Sequence, residues 1–123
     1  MKQRTFTYKK LVILTAFLVV LWHKPILRLF FVMEYGNQIV AYSRENQVNP
    51  AMISAIVFTE SRFDTLAKSH KGALGLMQIM PETGAGVARE LNWQDFSSKD
   101  LLDPDKNLRV GIRYISYLKR QFN

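Results

Sequence analysis

Apolar and polar positions divide the chain into an apolar beginning and a series of helix-length segments. Residues 11–22 carry no charge, and the apolar character resumes at residues 26–33 after a short polar break. From residue 34 onward there is no internal repeat and no alternation long enough to predict a strand. Helix-start signals recur instead, so the pattern predicts a small all-α domain over residues 34–123.

Proline and capping residues mark three of the helix starts. Asn49 precedes Pro50, and Asp103 precedes Pro104, which places a capping side chain before a proline at the first helical position. The predicted helices are residues 34–46, a helix that begins at Pro50, a helix from Pro81 to about Leu91, and a helix that begins at Pro104.

Two of these helices differ in how their apolar residues are arranged. Residues 51–58 are apolar nearly all round, which predicts a buried helix at the centre of the domain. In the last helix an inner face is expected to contain Leu108, Ile112, Ile115 and Phe122. Another face carries a basic stripe of Arg109, Arg113 and Arg120. We interpret this stripe as a solvated surface, with contact to an acidic substrate as the alternative.

The distribution of charge argues against a nucleic-acid partner. The chain has 17 Lys and Arg against 10 Asp and Glu, for a net charge of +7. All the acidic residues lie in residues 34–123, and residues 1–33 hold six basic residues and no acid. A nucleic-acid binder concentrates its charge on the domain that contacts phosphate, whereas here the predicted domain is nearly neutral.

The basic start and the apolar run after it are typical of an export signal. We expect residues 1–33 to be an uncleaved single-pass membrane anchor, with the domain on the extracytoplasmic side of the cell membrane. A cleaved signal and a buried helix of the domain itself are the alternatives. Since the chain has no cysteine, disulfides, thiolate metal sites and cysteine nucleophiles are excluded. No metal or cofactor is indicated.

Glu60 is the residue most suited to acid–base chemistry. It ends the apolar run of the helix that is expected to be buried, and it has no cation at a helical spacing upstream. A carboxyl group in such a place loses hydration, which favours its protonated form, as a general acid requires. A solvent-facing glutamate at a helix end is the alternative.

The residues that follow Glu60 carry a family resemblance. Residues 60–64 read ESRFD, residues 72–83 read GALGLMQIMPET, and residues 103–115 read DPDKNLRVGIRYI. This resembles the catalytic domain of soluble lytic transglycosylases, which is related to goose-type lysozyme. The resemblance covers about residues 34–123 and implies a lysozyme-like helical fold that acts on peptidoglycan.

The resemblance also implies roles for individual residues. Glu60 would be the sole catalytic acid/base, and Ser69 would hydrogen-bond to it or to the adjacent sugar. Gln78 would contact the N-acetyl or hydroxyl groups of the substrate, and Met77 would form an apolar wall of the cleft. Gly75 would let the backbone approach the saccharide closely. For Met77 the alternative is a core position, for Ser69 a loop cap, and for Gln78 an exposed loop position.

Because Glu60 would be the only catalytic carboxylate, the resemblance implies a particular reaction. Glu60 would cleave the β-1,4 bond between N-acetylmuramic acid and N-acetylglucosamine and leave a 1,6-anhydromuramic end. Asp64 is the other nearby acid, and we expect it to order the turn. Lysozyme-type hydrolysis is the alternative. The segment that usually follows in the family is missing after Asn123, so a truncated, non-catalytic remnant that binds glycan is a further alternative.

Overall fold

The structure, a computed structural model, describes residues 35–122, and the regular elements in this range are helical. The elements are α1 (Gly36–Glu45), α2 (Pro50–Ser61), α3 (Pro81–Glu90), a 3₁₀ helix (Ser98–Leu102) and α4 (Pro104–Phe122). Two isolated bridges, Lys68 with Leu74 and Leu74 with Ile79, are the only β pairing within these residues. The predictions of an all-α domain and of four helix positions are confirmed.

Side-chain caps define where α2 and α4 begin. The Asn49 side chain accepts a hydrogen bond from the Ala51 backbone N–H at 2.8 Å. The Asp103 carboxylate accepts one from the Lys106 N–H at 2.9 Å. Each acceptor satisfies an N–H group that has no partner inside the helix, and this explains why both helices start where the sequence predicts.

The 3₁₀ helix was not predicted from the sequence. It begins with a capping box, in which the Asp100 carboxylate accepts hydrogen bonds from the N–H and the hydroxyl of Ser97. Its fourth residue, Leu101, is fully buried. The element is only five residues long, too short for a hydrophobic period to show in the sequence.

The core is organised around α4, which packs against α1, α3 and the 3₁₀ helix. Its buried residues are Asn107, Leu108, Val110, Gly111, Ile112 and Ser116. The predicted inner face is confirmed for Leu108 and Ile112 but is wrong for Phe122, which is 85% exposed. Phe122 lies beyond Lys119, whose ammonium group donates to the Gln47 carbonyl at the end of α1.

The prediction that α2 is the one buried helix is wrong. Only Ile53 and Val57 are buried, whereas Met52 is 42% exposed and Phe58 is 48% exposed. When a helix is apolar on every side, its sequence does not show which side packs against the rest of the domain. Among the described helices, α2 packs mainly on α1. α2 therefore covers one side of the core and leaves an apolar side open.

The predicted anchor at residues 1–33 lies outside the described residues. Between residues 35 and 122 we find no helix with the length and apolar character needed to cross a bilayer. The membrane anchor and the domain boundary beside it remain predictions.

Candidate active site

Glu60 lies in the last turn of α2, and its side chain is exposed. The expectation that burial removes water from this carboxyl group is therefore wrong. The next residue fixes its position: the Ser61 hydroxyl hydrogen-bonds the Leu76 carbonyl at 2.8 Å and the Val57 carbonyl at 3.1 Å. Because Leu76 belongs to the loop that carries Gln78, this contact holds the end of α2 against that loop.

The turn after α2 directs the chain into the loop. Arg62 and Phe63 both have positive φ angles, of 52° and 66°. Two consecutive left-handed residues reverse the chain sharply at the cost of some backbone strain. The Asp64 carboxylate accepts a hydrogen bond from the Leu66 N–H at 2.9 Å, which is an Asx turn. The prediction that Asp64 orders the turn is confirmed.

Ser69 closes a tight turn within the loop. Its hydroxyl oxygen accepts a hydrogen bond from the Ala73 N–H at 3.0 Å, and its own N–H donates to the Ala73 carbonyl at 3.0 Å. Gly72, with a φ of 87°, supplies the left-handed conformation that the turn needs. The hydroxyl proton of Ser69 is not used in these contacts, so the side chain still has a donor for a ligand.

Gln78 connects three parts of the loop. Its side-chain amide donates hydrogen bonds to the carbonyls of Ala67, at 3.2 Å, and of Gly75, at 3.0 Å. Among the described residues nothing donates to its side-chain oxygen. The φ of Gln78 is 46°, a left-handed conformation stabilised by these bonds. The structure thus fixes the orientation of Gln78 and leaves its oxygen available to accept a hydrogen bond.

Gly75 and Asn107 hold the loop against α4. Gly75 has a φ of 72°, and a Cβ there would overlap the Leu101 carbonyl and the Asn107 side chain. The fully buried Asn107 donates to the carbonyls of Leu74 and Leu101 and accepts from the Met77 N–H, at 2.9, 2.8 and 2.8 Å. Glycine is therefore required at position 75 for packing inside the domain, whether or not a saccharide approaches it.

The two methionines of the loop occupy different environments. Met77 is buried, and its sulfur lies where a Cβ on Gly111 of α4 would be. Met80 is 41% exposed, just before α3 begins. Of the two methionines, it is thus Met80 that adds to the exposed apolar surface of the loop, together with Leu66, and the sequence pattern did not identify it. Hydrophobicity alone does not separate the two, because the loop has no regular period.

Comparison with known proteins places this geometry in a family. Residues 37–123 match the family model described as Transglycosylase SLT domain. The chain belongs to the SLT domain family. Over 93 residues it is 33% identical to the soluble lytic murein transglycosylase of Escherichia coli K12, a match that covers 75% of this chain and 14% of that protein.

Other relatives of this SLT domain include a protein named as membrane-bound. The membrane-bound lytic murein transglycosylase E of Buchnera aphidicola is 36% identical over 89 residues, which cover 70% of this chain and 40% of that protein. The SLT domain thus spans less than half the length of each of these relatives.

Solved structures show the same fold. An inactive mutant of the lytic transglycosylase Slt from Pseudomonas aeruginosa superposes with a TM-score of 0.71 at 34% identity, covering 76% of this chain and 15% of that one. The 70 kDa soluble lytic transglycosylase of Escherichia coli gives 0.70 at 32% identity, with the same coverage. These likenesses agree with the lysozyme-like helical fold that the resemblance implied.

Charged side chains near the start of α4 in this SLT domain form ion pairs. Hydrogen bonds from the Lys106 ammonium and the Ser97 backbone lower the pKa of Asp100 to about 2. Asp105 accepts hydrogen bonds from the Tyr42 hydroxyl and from Arg109, whose guanidinium lies 4.5 Å from the centre of the Tyr42 ring. Within residues 35–122 no three His, Cys, Asp or Glu side chains lie together as a possible metal site.

Proposed function

We propose that this SLT domain is the catalytic part of a peptidoglycan lytic transglycosylase. Its substrate would be the β-1,4 bond between N-acetylmuramic acid and N-acetylglucosamine, and its product a 1,6-anhydromuramic end. The observation that carries the proposal is the Ser61–Leu76 hydrogen bond, which holds the Glu60 end of α2 against the loop that orients Gln78.

Glu60 would act first as an acid and then as a base. Its carboxyl proton would pass to the glycosidic oxygen as the bond to C1 of the muramic acid breaks, releasing the N-acetylglucosamine side as an alcohol. The resulting carboxylate would take the proton from the muramic acid 6-hydroxyl, whose oxygen bonds to C1. Glu60 ends protonated as it began, and no water is consumed.

Because Glu60 is exposed, the substrate itself would have to remove water from around its carboxyl group. A general acid must hold its proton until the substrate is bound, and water around a carboxyl group favours the ionised form. We propose that the bound glycan itself excludes that water. The exposed apolar side chain of Met80, at the end of the loop that Ser61 contacts, would contribute to this exclusion.

Three further side chains support the proposed mechanism without replacing Glu60. The free oxygen of Gln78 would accept from an N-acetyl N–H or a sugar hydroxyl, and the Ser69 hydroxyl would donate to the sugar or to Glu60. The Asp64 carboxylate is engaged in the turn after α2, which argues against its acting as a nucleophile. Met77 and Gly75 would act indirectly, by shaping the loop from inside the domain.

The open position of Glu60 favours a second candidate function, a remnant that binds glycan without cleaving it. Lysozyme-type hydrolysis is the near alternative within catalysis. In each case the substrate would be peptidoglycan, and residues 1–33 would anchor the domain on the extracytoplasmic side of the membrane.

Product analysis on purified peptidoglycan sacculi tests the proposal. The full chain should release muropeptides with anhydro ends, and Glu60→Gln should abolish them, since an amide cannot supply the proton. Glu82→Gln is the matched control, because Glu82 is an exposed acid in the first turn of α3 and has no role in the proposed mechanism. A folded chain that binds sacculi but releases nothing would contradict the catalytic proposal and favour the remnant.

A further inference from the structure

The side chain of Glu60 is not held in place by any direct polar contact. Among residues 35–122 no group forms a hydrogen bond or an ion pair with its carboxyl group. Its position therefore depends on the backbone at the end of α2. Because a misplacement of about 1 Å can slow an enzymatic reaction roughly a hundredfold, the contacts that fix this helix end matter for the proposed chemistry.

Three residues of α2 carry a side-chain hydroxyl, and they differ in what it contacts. Ser54 and Thr59 each donate to the carbonyl four residues earlier in the helix, at 2.9 and 2.8 Å. Such bonds stay inside the helix and connect it to nothing else. Ser61 has the same option at the Val57 carbonyl, 3.1 Å away, but it also lies 2.8 Å from the Leu76 carbonyl in the loop.

The Ser61 hydroxyl has one proton for these two acceptors, so it can satisfy only one of them at a time. The Val57 carbonyl lies inside the helix, where backbone N–H groups donate to the carbonyls. In contrast, Leu76 is fully buried, and within residues 35–122 no other group donates to its carbonyl. A buried acceptor without a donor costs free energy, which favours the bond from Ser61 to Leu76.

We propose that Ser61 is a positioning residue, which places Glu60 for proton transfer by holding the end of α2 on the loop that carries Gln78. This role rests on the proposed function, because it concerns the chemistry assigned to Glu60. Ser61 would contact neither the sugar nor the reacting atoms. Its own carbonyl accepts a hydrogen bond from the Asp64 N–H at 3.0 Å, so the same residue also fixes the turn that leaves the helix.

Kinetics on a soluble tetrasaccharide of alternating N-acetylglucosamine and N-acetylmuramic acid test this role. We expect Ser61→Ala to lower kcat about tenfold or more, because the acid is misplaced. KM should change less than about twofold, because Asn107 still holds the loop from inside the domain. Ser61→Thr retains the hydroxyl and should recover most of the activity. All variants are assayed well below their unfolding midpoints, so that loss of folded protein does not lower kcat.

The matched control is Ser54→Ala. It makes the same substitution in the same helix, at a half-buried hydroxyl that bonds only to its own helix. It should therefore have the kcat and KM of the wild type. Should Ser61→Ala fail to fold, Ser61→Cys keeps the size of the side chain with a weaker donor and replaces it in each measurement.

Hydrogen exchange followed by NMR detects the contact independently of cleavage. The Gln78 N–H donates to the Gly75 carbonyl at 3.1 Å, within the loop that Ser61 contacts. We expect Ser61→Ala to speed the exchange of this N–H several-fold, because the loop opens locally more often. Thr59→Ala removes the hydroxyl on the other side of Glu60, which bonds only inside the helix, and should leave the exchange unchanged.

Several results would overturn the positioning role. These are equal kcat values for Ser61→Ala and Ser54→Ala, no recovery by Ser61→Thr, or unchanged exchange at Gln78 in Ser61→Ala. A rise in KM without a fall in kcat would assign Ser61 to binding of the sugar instead.

The two kinds of measurement separate this role from the catalytic proposal. Glu60-dependent cleavage that proceeds equally well in Ser61→Ala would overturn the positioning role alone. Faster exchange at Gln78 in Ser61→Ala, in a chain whose wild type never cleaves glycan, would contradict the catalytic proposal alone. Ser61 would then remain the contact that orders the loop.

Discussion

Helices α2 and α4 show opposite relations between apolar content and burial. α2 is apolar nearly all round, yet only Ile53 and Val57 are buried. α4 carries charges along much of its length, yet six of its residues are buried and it contacts three other elements. Burial thus depends on how many partners surround a helix and on which side they lie. The number of apolar residues in a helix does not report either quantity.

The two helices also differ in what their surfaces do: one supports the packing of the domain, and the other carries a candidate catalytic residue. α4 forms the interior on which the other elements pack. Glu60 lies at the exposed end of α2, where a ligand can reach it. Exposed apolar surface beside polar groups is typical of a binding site. The comparison between the two helices can be tested by substitutions on each.

The largest effect is expected at Asn107 of α4. Asn107→Ala removes three buried hydrogen bonds. It leaves the Met77 N–H and the Leu101 carbonyl without these partners, whereas the Leu74 carbonyl still accepts from the Ile79 N–H. We expect a loss of roughly 3 kcal/mol or more in the free energy of unfolding, which is enough to unfold much of a small domain. Urea unfolding followed by circular dichroism measures it. Asn37→Ala, on the exposed side of α1, is the control and should change little. Similar midpoints for the two variants would contradict the role of Asn107.

The difference in cost between two side-chain truncations should distinguish the two helices directly. Ile112→Ala in α4 removes a fully buried side chain and should cost about 2–5 kcal/mol. Met52→Ala in α2 shortens a side chain that is 42% exposed and should cost less than about 1 kcal/mol. Thermal unfolding of both variants compares them. Equal losses would show that the open side of α2 is covered in solution.

These contrasts show how much of the domain follows from the sequence. Caps at Asn49 and Asp103 and the proline starts predict the helices, because the signals are local and each has a direct physical cause. The inner face at Leu108 and Ile112 follows from helical spacing. The orientation of α2 does not, since its residues are apolar on every side and the partner helix comes from elsewhere in the chain.

The candidate site was predicted unevenly for the same reason. Glu60 was identified from its place at the end of an apolar run, and Ser69 and Gln78 from the family resemblance. The structure places all three at the ends of elements or in ordered turns. The core position of Met77 and the exposure of Met80 depend on the packing of an irregular loop against Gly111 and Asn107. No local pattern reports such long-range contacts.

The smallest expected effect concerns the start of α4 and its dependence on pH. Since the folded-state pKa of Asp100 is lowered from 3.8 to about 2, its ion pair with Lys106 stabilises the domain above the unfolded pKa. This contribution is lost as the pH falls from about 4 to about 2. Asp100→Asn should therefore reduce the acid sensitivity of the midpoint of thermal unfolding. Asp95→Asn, at an exposed acid of the preceding turn, should leave it unchanged. An identical acid response in Asp100→Asn and the wild type would rule out the ion pair as its cause.

The central claim is that Glu60 transfers a proton to the leaving sugar and then uses the muramic acid's own hydroxyl in place of water. The most direct measurement is digestion of sacculi by the full chain in water labelled with heavy oxygen, with mass spectrometry of the released muropeptides. The account predicts anhydro ends that carry no label and that disappear in Glu60→Gln. Labelled reducing ends produced by the wild type, or anhydro ends that persist in Glu60→Gln, would contradict it.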